Sequence, residues 1–350
     1  MSLLQSVNYL GIDIGSTGIK VVELKKEKGK IKLVNYGFSE HKKHASIDWQ
    51  KNTRLASELL LKILKEAGIN SKNAVSALPT FSVFSSVLNL SSSDKKDIPS
   101  AVHWEAKKVI PLPLEEMILD WRVLDDGEKN QNQGKKGKNK KVLLTGAPRS
   151  LVKKYTEVFK MAEINLLSLE TETFSLIRSL LGGDKSTIML VEIGASTTDV
   201  SIVDNNIPTL SRSIDVGGSA ITEALSKKMN MKIAQAEQFK YDLCMSSLNS
   251  GGSEMPGAVV DIISPIVNEI KYAINLFQTK SGKITEKIVL SGGSALLPNI
   301  CGYLSKILDK KVIIGDPWAR LSYPADLKPL LNEIGPRMAV AIGLAMRELE

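Results

Sequence analysis

Two short motifs of the same kind stand half a chain apart, and both carry residue types that bind phosphate and metal ions. In each motif an apolar stretch ends in an acidic residue, followed by Ile-Gly and small hydroxyl residues. The first runs from Asp13 to Lys20 and the second from Glu192 to Asp199. The N–H groups of such a glycine turn can bind an anion, and the carboxylate can bind a divalent cation directly or through water. A single acid-glycine hairpin is a common turn, but two copies predict a nucleotide site with Mg²⁺ between two lobes.

The first motif offers a metal ligand, a set of anion donors and a lysine. Asp13 is the candidate ligand of Mg²⁺ or of its water. The candidate donors to the phosphates are Gly15, Ser16, Thr17 and Gly18. Lys20 follows on the next strand, where its ammonium group can return to the β- and γ-phosphates. The alternative for Lys20 is a solvated position on that strand.

The second motif repeats this pattern with one change of residue type. Glu192 takes the place of Asp13 as a candidate metal ligand. The candidate phosphate contacts are Gly194, Ala195, Ser196 and Thr197. Asp199 either serves the metal or faces solvent, and the pattern leaves both roles open.

Further glycine motifs follow the second hairpin. Gly217-Gly218 leads into a helix, and Gly292-Gly293-Ser294 ends a buried strand. Glycine lets the backbone approach a flat adenine or ribose closely, so both are candidate cofactor contacts. The alternative for the later motif is an ordinary tight strand–helix turn. Glu269 and Lys271, on a long predicted helix, either reach the ribose or base edge or are exposed helix charges.

Composition excludes several classes of protein. The 350 residues are enough for two or three domain-sized cores, and no apolar run approaches the length of a membrane helix. The N-terminus lacks the pattern of a signal peptide. Two cysteines form no disulfide framework, which favours a reducing cytoplasm, and the three histidines have no metal-ligand spacing. We therefore expect no zinc site, no Cys/His nucleophile and no direct membrane insertion.

The net charge of +8 comes largely from one segment. Five lysines lie in a Gly/Asn/Gln-rich stretch, and without them the balance is +3 (8 minus 5). They are Lys135, Lys136, Lys138, Lys140 and Lys141. We interpret the run as a solvated loop, with a nucleic-acid or anionic-lipid contact as the alternative. Since no nucleic-acid-binding signature accompanies the run, nucleic acid is not an expected partner.

Apolar periodicity predicts alternating strands and helices. The predicted strands are 8–14, 18–25, 30–37, 74–78, 81–90, 118–125, 141–147, 165–170, 188–191, 200–203 and 286–290. The predicted helices are 50–67, 95–109, 149–163, 173–182, 219–229, 233–245, 257–280, one from about 298, and one from Pro336 to Glu350. Ser91 to Asp94 can cap the second helix, and 246–256 is expected to be a loop.

The repeat predicts the domain organisation. A spacing of about half the chain favours duplicated α/β lobes with a cleft between them. We assign residues 1–80, 164–185 and 336–350 to the first lobe and 186–335 to the second. Residues 81–163 read as a small α/β subdomain inserted in the first lobe.

The order of these motifs resembles the actin/Hsp70/sugar-kinase ATPase fold, and more closely the PilM family of type IV pilus assembly proteins, which is similar to the division protein FtsA. Five stretches carry the resemblance, which spans residues 8 to 348. They are GIDIGSTGIKVVEL (11–24), HWEAKKVIPLPLEEMILDW (103–121), EIGASTTDVSIV (192–203), IDVGGSAITEAL (214–225) and IVLSGGSALLPNI (288–300). The second stretch is specific to this branch and lies in the inserted subdomain.

The resemblance implies an ATP-binding cytoplasmic adaptor. Members of the family hold ATP between the lobes and bind the cytoplasmic N-terminal tail of PilN, an inner-membrane protein, in a groove between the core and the inserted subdomain. The chain would then lie at the inner membrane through its partner and contact pilus motor or platform proteins, with self-association possible. Glu172 matches a family acid near the phosphates, which either orients an attacking water or has a structural role where the lobes cross.

Two departures and two alternative functions accompany this interpretation. Glu192 stands where Asp is usual, so the metal would shift and efficient hydrolysis is in doubt; the expected ATPase activity is weak at most. The 126–141 segment is also longer and more basic than the family pattern. The alternatives are an FtsA-like division filament protein and a small-molecule kinase, and a substrate-side carboxylate base for the kinase is not evident.

Overall fold

The computed structural model describes residues 7–40, 49, 51–90, 98–124, 140–250 and 257–350. Its strands are β1 (Asn8–Ile14), β2 (Gly18–Glu27), β3 (Lys30–Glu40), β4 (Asn73–Leu78), β5 (Phe84–Leu90), β6 (Met117–Leu124), β7 (Lys140–Pro148), β8 (Asn165–Thr171), β9 (Ile188–Ile193), β10 (Thr198–Asp204), β11 (Ile207–Ile214), β12 (Lys287–Ser291) and β13 (Lys311–Ile314). Its α-helices are α1 (Thr53–Glu66), α2 (Ile98–Val109), α3 (Arg149–Met161), α4 (Glu172–Leu176), α5 (Gly218–Lys228), α6 (Ile233–Ser250), α7 (Gly257–Ser281), α8 (Ile300–Leu308) and α9 (Lys328–Met346). A π-helical turn, Ile177–Leu181, continues α4.

Two five-stranded sheets share one topology. The first has the order β3-β2-β1-β4-β8 and the second the order β11-β10-β9-β12-β13. In each, three antiparallel strands precede two strands that run parallel to the central one. Because β1 and β9 are central and parallel to their later neighbours, their carboxyl ends lie beside those of β4 and β12. This is the duplicated architecture that the two acid–glycine motifs predict.

Helices separate the two sheets and cover their outer faces. The apolar face of α1 packs with α3 on one side of the first sheet, and α5 to α8 cover the outer side of the second. Between the sheets lie α4, its π turn and α9, whose side chains share one buried cluster with Val75 of β4 and Leu190 of β9. A Cβ on Gly11 would lie 1.8 Å from the carbonyl oxygen of Ala341. The small residue at position 11 thus lets α9 rest directly on β1.

A third, three-stranded sheet forms the insert. Its order is β5-β7-β6, all antiparallel, and α2 covers it through a separate apolar cluster. The following helix α3 packs instead in the core of the first lobe, where Tyr155 and Phe159 are almost completely buried. The unit with its own core is therefore Phe84 to Pro148. A division of the chain into two lobes and this insert remains our proposal.

The structure corrects three expected features of secondary structure. The last helix begins at Lys328 rather than at Pro336, which lies inside it. A proline fits the first turn of a helix, but Pro329 occupies that place here, and the interior Pro336 only removes one backbone donor. Helix α6 continues to Ser250, into the segment expected to be a loop. The edge strands β11 and β13 were not predicted.

Two predicted features lie outside the described residues. They are the Ser91 to Asp94 cap and most of the lysine-rich segment, of which Lys140 and Lys141 belong to β7.

Candidate functional site

The two acid–glycine motifs fold into the same hairpin. The Gly15 N–H donates to the carbonyl of Gly18, and the Gly194 N–H donates to the carbonyl of Thr197, both at 2.9 Å. These turns connect β1 to β2 and β9 to β10, the central antiparallel pairs of the two sheets. The repeat seen in the sequence is therefore a repeat of backbone geometry.

The strand registers place the charged residues of the two hairpins at equivalent positions. Asp13 pairs with Lys20 across β1 and β2, and Glu192 pairs with Asp199 across β9 and β10. In the first hairpin the Lys20 ammonium donates to the Asp13 carboxylate at 2.9 Å. In the second hairpin both positions are acidic, and Ser213 donates to Asp199, which is buried and does not face solvent. One lobe thus presents a cation where the other presents a carboxylate.

The tips of the two hairpins meet. The Ser196 hydroxyl donates to that of Ser16 at 2.8 Å, so the lobes touch at their phosphate-binding candidates. Thr17 and Ala195 lie in the same turns, and the Ala195 carbonyl accepts from the Ser219 N–H at 2.8 Å. The structure therefore brings the turn residues of both predicted motifs to one place.

Three carboxylates gather beside the carboxyl ends of β8 and β9, with Asp199 at the amino end of the antiparallel β10. Oxygens of Glu172, Glu192 and Asp199 lie within 4.8 Å of one another. Oε2 of Glu192 is buried and has no hydrogen-bond partner among the described residues. A buried carboxylate oxygen without a donor is costly, whereas a divalent cation with oxygen ligands would satisfy it. The donor set thus fits Mg²⁺, with Asp13 held nearby by Lys20.

Burial raises the pKa values of the three acids, and neighbouring carboxylates add to the shift at Glu192 and Glu172. Burial, followed by the charges of Asp13 and Asp199, raises the pKa of Glu192 to about 8, although Lys20 opposes the shift. Burial raises the pKa of Asp199 to about 6 against the hydrogen bond from Ser213. Burial and the Glu192, Asp199 and Asp13 charges raise the pKa of Glu172 well above its ordinary value. Such mutual destabilisation of anions is what a bound cation would relieve.

Glu172 is held in place from the connection to the insert. It is the first residue of α4, and its Oε2 accepts from the Thr80 N–H at 2.8 Å and from the Thr80 hydroxyl at 3.1 Å. Tyr155 of α3 is buried near the same acids, since Glu172 and Asp13 add to the burial that raises its pKa. Among the described residues the Tyr155 hydroxyl has no hydrogen-bond partner.

The glycine motifs of the second lobe pack on the second hairpin. The Gly218 N–H donates to the Gly194 carbonyl at 2.9 Å, and a Cβ on Gly217 would lie 2.6 Å from that oxygen. Gly292 has a φ of +85°, and a Cβ there would lie 2.3 Å from the carbonyl oxygen of Ile193. The sequence signals at 194, 217–218 and 292 therefore form one backbone-lined surface without side chains.

Ser294 and Gly293 complete this surface. A Cβ on Gly218 would lie 2.7 Å from the Ser294 hydroxyl oxygen, so the third glycine motif reaches the second. A Cβ on Gly293 would meet no atom within 4 Å. Gly293 therefore has space beside it where Gly292 has none.

Two charged residues at this surface were missed by the sequence analysis. Lys240 of α6 donates to the Gly218 carbonyl at 3.0 Å and to Glu237 at 2.8 Å. Both also bond the Thr222 hydroxyl of α5. Both lie on α6, a different helix from the one that Gly217-Gly218 begins, so the sequence near the glycine pair gives no signal for them. A carboxylate and an ammonium group beside a glycine pair have the hydrogen-bonding capacity to bind sugar hydroxyls.

Glu269 has a different environment. It forms an ion pair with Arg212 of β11, and the Arg212 guanidinium lies 4.6 Å from the centre of the Tyr272 ring. Lys271 is exposed on α7. The prediction that Glu269 contacts a nucleotide stays a prediction.

The cysteines and helices carry little further chemistry. Burial raises the pKa of Cys244 to about 11 and raises that of Cys301, so neither is an activated thiolate. Within the described part of the chain, no helix has both the length and the apolar composition needed to cross a bilayer.

Comparisons with known proteins agree on the type of molecule. A family model described as type IV pilus assembly protein PilM matches residues 11–349. The cell division protein FtsA of Neisseria meningitidis serogroup B is 28% identical over 178 residues, which are 45% of this chain and 41% of that protein's length. The solved PilM–PilN type IV pilus biogenesis complex matches with a TM-score of 0.81 and 22% identity, covering 99% of this chain and all of that one. The solved structure of MreB5 of Spiroplasma citri bound to AMPPNP matches with a TM-score of 0.54 and 13% identity. The match covers 99% of this chain and 97% of that one.

Proposed function

The chain belongs to the PilM family of type IV pilus assembly proteins and has the actin-like ATPase fold, and from that premise we propose that it is an ATP-binding adaptor of the pilus assembly platform. The observation that carries the nucleotide site is the pair of matched hairpins, whose tips touch and whose carboxylates surround the unpartnered Glu192 oxygen. ATP lies between the hairpins in this proposal, with its sugar and base toward the second lobe.

Different residues would bind the phosphates, the adenosine and the ribose hydroxyls of ATP. The turn amides of both hairpins donate to phosphate oxygens, and the turn serines and Thr17 and Thr197 add hydroxyl donors. Lys20 neutralises phosphate charge, since its ammonium group is already fixed over the first turn by Asp13. The glycine surface formed by Gly217, Gly218, Gly292, Gly293 and Ser294 admits the adenosine. Lys240 and Glu237 would form hydrogen bonds with the ribose hydroxyls.

Mg²⁺ supplies charge neutralisation at the phosphates when it is bound. Asp13 and Glu192 would hold it or its waters, and Asp199 completes the acidic surroundings. Glu172 would orient a water beside the terminal phosphate, because it belongs to the acidic cluster and Thr80 fixes the position of its Oε2. We propose at most weak hydrolysis, since Glu192 replaces the shorter Asp usual in the family.

We propose further that the partner is the N-terminal cytoplasmic tail of a PilN-like inner-membrane protein. Support comes from the similar solved structure, which is a complex of a PilM protein with PilN. Docking such a tail places the chain at the cytoplasmic face of the inner membrane without inserting it in the bilayer. Motor or platform proteins of the pilus, and other copies of the chain, are the further contacts we expect.

Calorimetry of the purified chain tests the nucleotide proposal. We expect ATP to bind with Mg²⁺ and more weakly with EDTA present, because the carboxylates repel phosphate when no cation separates them. With Mg²⁺ present, Asp13→Ala should bind ATP more weakly than the wild type does. Absence of ATP binding by the wild type, with and without Mg²⁺, would refute the nucleotide site.

Fluorescence anisotropy tests the partner proposal separately. The probe is a labelled synthetic peptide of the N-terminal tail of a PilN-like protein from the same organism, and its scrambled sequence is the control. Saturable binding of the native peptide supports the adaptor function. A pull-down that instead recovers division proteins, with no peptide binding, would favour an FtsA-like function.

A further inference from the structure

Thr80 lies on the connection between the first lobe and the insert. It begins a 3₁₀ turn, Thr80–Ser82, after β4 and before β5. Since β4 is in the first sheet and β5 is an edge strand of the insert sheet, the turn joins two separately packed cores. A shift of the insert relative to the lobe therefore acts first on Thr80.

The same residue makes the described hydrogen bonds that hold Glu172. Both its N–H and its hydroxyl donate to Oε2, at 2.8 and 3.1 Å. Two donors from one residue fix both the position and the direction of that oxygen. Glu172 follows β8, which is β4's parallel neighbour, so the contact spans 92 residues of sequence but only adjacent strands.

A small pocket beside Thr80 leaves room for the 3₁₀ turn to shift. The pocket is bordered by Val83 and Ser85 toward the insert, Thr173 toward the first lobe, and Pro208 and Ser211 of the second lobe. Strand β11 packs beside both the Thr80 turn and β5. All three units thus meet at this point, next to the acidic cluster.

We infer that Thr80 is a positioning residue for Glu172 and couples the position of the insert to the phosphate site. This inference rests on the proposed function and gives it a route of regulation. A ligand that moves the insert would pull the Thr80 donors from Glu172, and nucleotide that orders Glu172 would hold the insert. The hydroxyl is the part of this contact that a side-chain substitution can remove.

Hydrogen–deuterium exchange of the full chain, read by mass spectrometry with and without Mg-AMPPNP, tests the coupling. In the wild type we expect nucleotide to slow exchange in both hairpins and also in Phe84–Leu90 of the insert. In Thr80→Val exchange in the hairpins should still slow, while the slowing in the insert falls by about tenfold, the effect of losing one hydrogen bond. Thr80→Ser, which keeps the hydroxyl, should behave as the wild type.

The controls separate this inference from simpler explanations. Ser85→Ala removes a hydroxyl from the same pocket, and Ser85 makes no hydrogen bond to Glu172 in the described structure; it should leave the insert response unchanged. If Thr80→Val keeps the full insert response, the signal passes through the β11–β5 contact and the inference is wrong, though ATP binding stands. If the wild-type hairpins show no response to nucleotide, the proposed function fails and this inference with it.

Discussion

At the scale of single residues, the site combines a repeated backbone with different charges. Lys20 and Asp199 occupy the same position in the two hairpins, as do Asp13 and Glu192. The first hairpin therefore satisfies its acid internally, whereas the second concentrates carboxylates that need an external cation. A polyphosphate with Mg²⁺ matches this asymmetry, because the anion faces the lysine and the metal faces the acids.

Replacing Lys20 tests the phosphate contact. We expect Lys20→Ala to weaken Mg-ATP binding by about 1.5–3 kcal/mol, or about ten- to hundredfold, because a charged hydrogen-bond donor is lost. Calorimetry measures the change. Lys25→Ala is the control on the same strand, since Lys25 pairs with the largely exposed Glu27 and should leave the affinity unchanged. Wild-type affinity in both Lys20→Ala and Asp13→Ala would contradict the assignment.

The acidic cluster makes a prediction about pH. Burial and the Asp13 and Asp199 charges raise the pKa of Glu192 from 4.5 to about 8. Between these values the folded protein keeps a proton that the unfolded chain has released, so the free energy of unfolding falls as pH rises. Asp199 acts in the same direction up to about pH 6. Glu192→Gln should flatten this fall.

Urea denaturation at several pH values from 5 to 8.5, without divalent cations, measures the effect. Each unit of pKa difference between the folded and unfolded states corresponds to about 1.4 kcal/mol in the free energy of unfolding. Saturating Mg²⁺ should restore stability at the alkaline end in the wild type and less so in Glu192→Gln. Parallel stability curves for the two proteins would contradict the prediction.

Sequence reasoning found the backbone of the site better than its side-chain partners. Glycine and acid spacing marked both hairpins because those contacts are local in the chain. Lys240 reaches Gly218 from a different helix, and Thr80 holds Glu172 across 92 residues, so neither contact has a local signature. Glu269 was a candidate nucleotide contact by residue type, but in the structure it forms an ion pair with Arg212.

At the scale of elements, backbone crowding specifies which positions must be glycine. Gly292 directly follows β12 with a positive φ of +85° and lies against the backbone of Ile193 in β9. Its N–H donates to the carbonyl of Pro336 in α9 at 2.9 Å. One residue thus joins the central strands of the second sheet to the helix between the sheets.

This crowding predicts unequal effects at two neighbouring glycines. Gly292→Ala should lower the free energy of unfolding by about 3 kcal/mol, because both the positive φ and the backbone contact oppose a Cβ. Gly293→Ala should cost about 1 kcal/mol or less, since open space surrounds its Cβ position. Urea denaturation of the two variants checks this, and equal losses would contradict the geometry.

The elements themselves were largely predictable where apolar periodicity was strong. The central strands β1 and β9 and the helices α1 and α7 fall within a few residues of their predicted limits. Edge strands were harder, because β13 has only one buried residue and its alternation is weak. The start of α9 was predicted too late in the chain, since a proline is compatible with both a first turn and a kinked interior.

At the scale of the whole molecule, the predicted fold class and family resemblance are confirmed. The lobes share an apolar cluster with α4 and α9, and they touch again at the hairpin tips. Among the described residues, the first contact is a buried apolar cluster, whereas a hydrogen bond between two serines joins the tips. We therefore expect the lobes to separate at the hairpin tips and to stay joined at the shared cluster.

A cross-link across the tips tests this motion. Because the Ser16 and Ser196 hydroxyls touch, the double variant Ser16→Cys/Ser196→Cys should form a disulfide under mild oxidation. Saturating Mg-ATP should slow the reaction, since phosphates between the hairpins hold them apart. Free-thiol counts follow the reaction, with the single variants correcting for the native Cys244 and Cys301. A rate insensitive to nucleotide would contradict this placement of the phosphates.

The packing of α9 on β1 also determines how this protein can be made. The ribosome releases β2 long before α9, yet Val22 and Leu24 of β2 are covered by Met338 and its neighbours in α9. Leu190 of β9 and Val289 of β12 also pack against α9, so both lobes keep one face open until α9 is made, whereas the insert has a core without α9 residues. Nascent chains halted before residue 328 should be cleaved by proteases in the two lobes more readily than in the insert, and chaperones should engage the lobes until α9 is made.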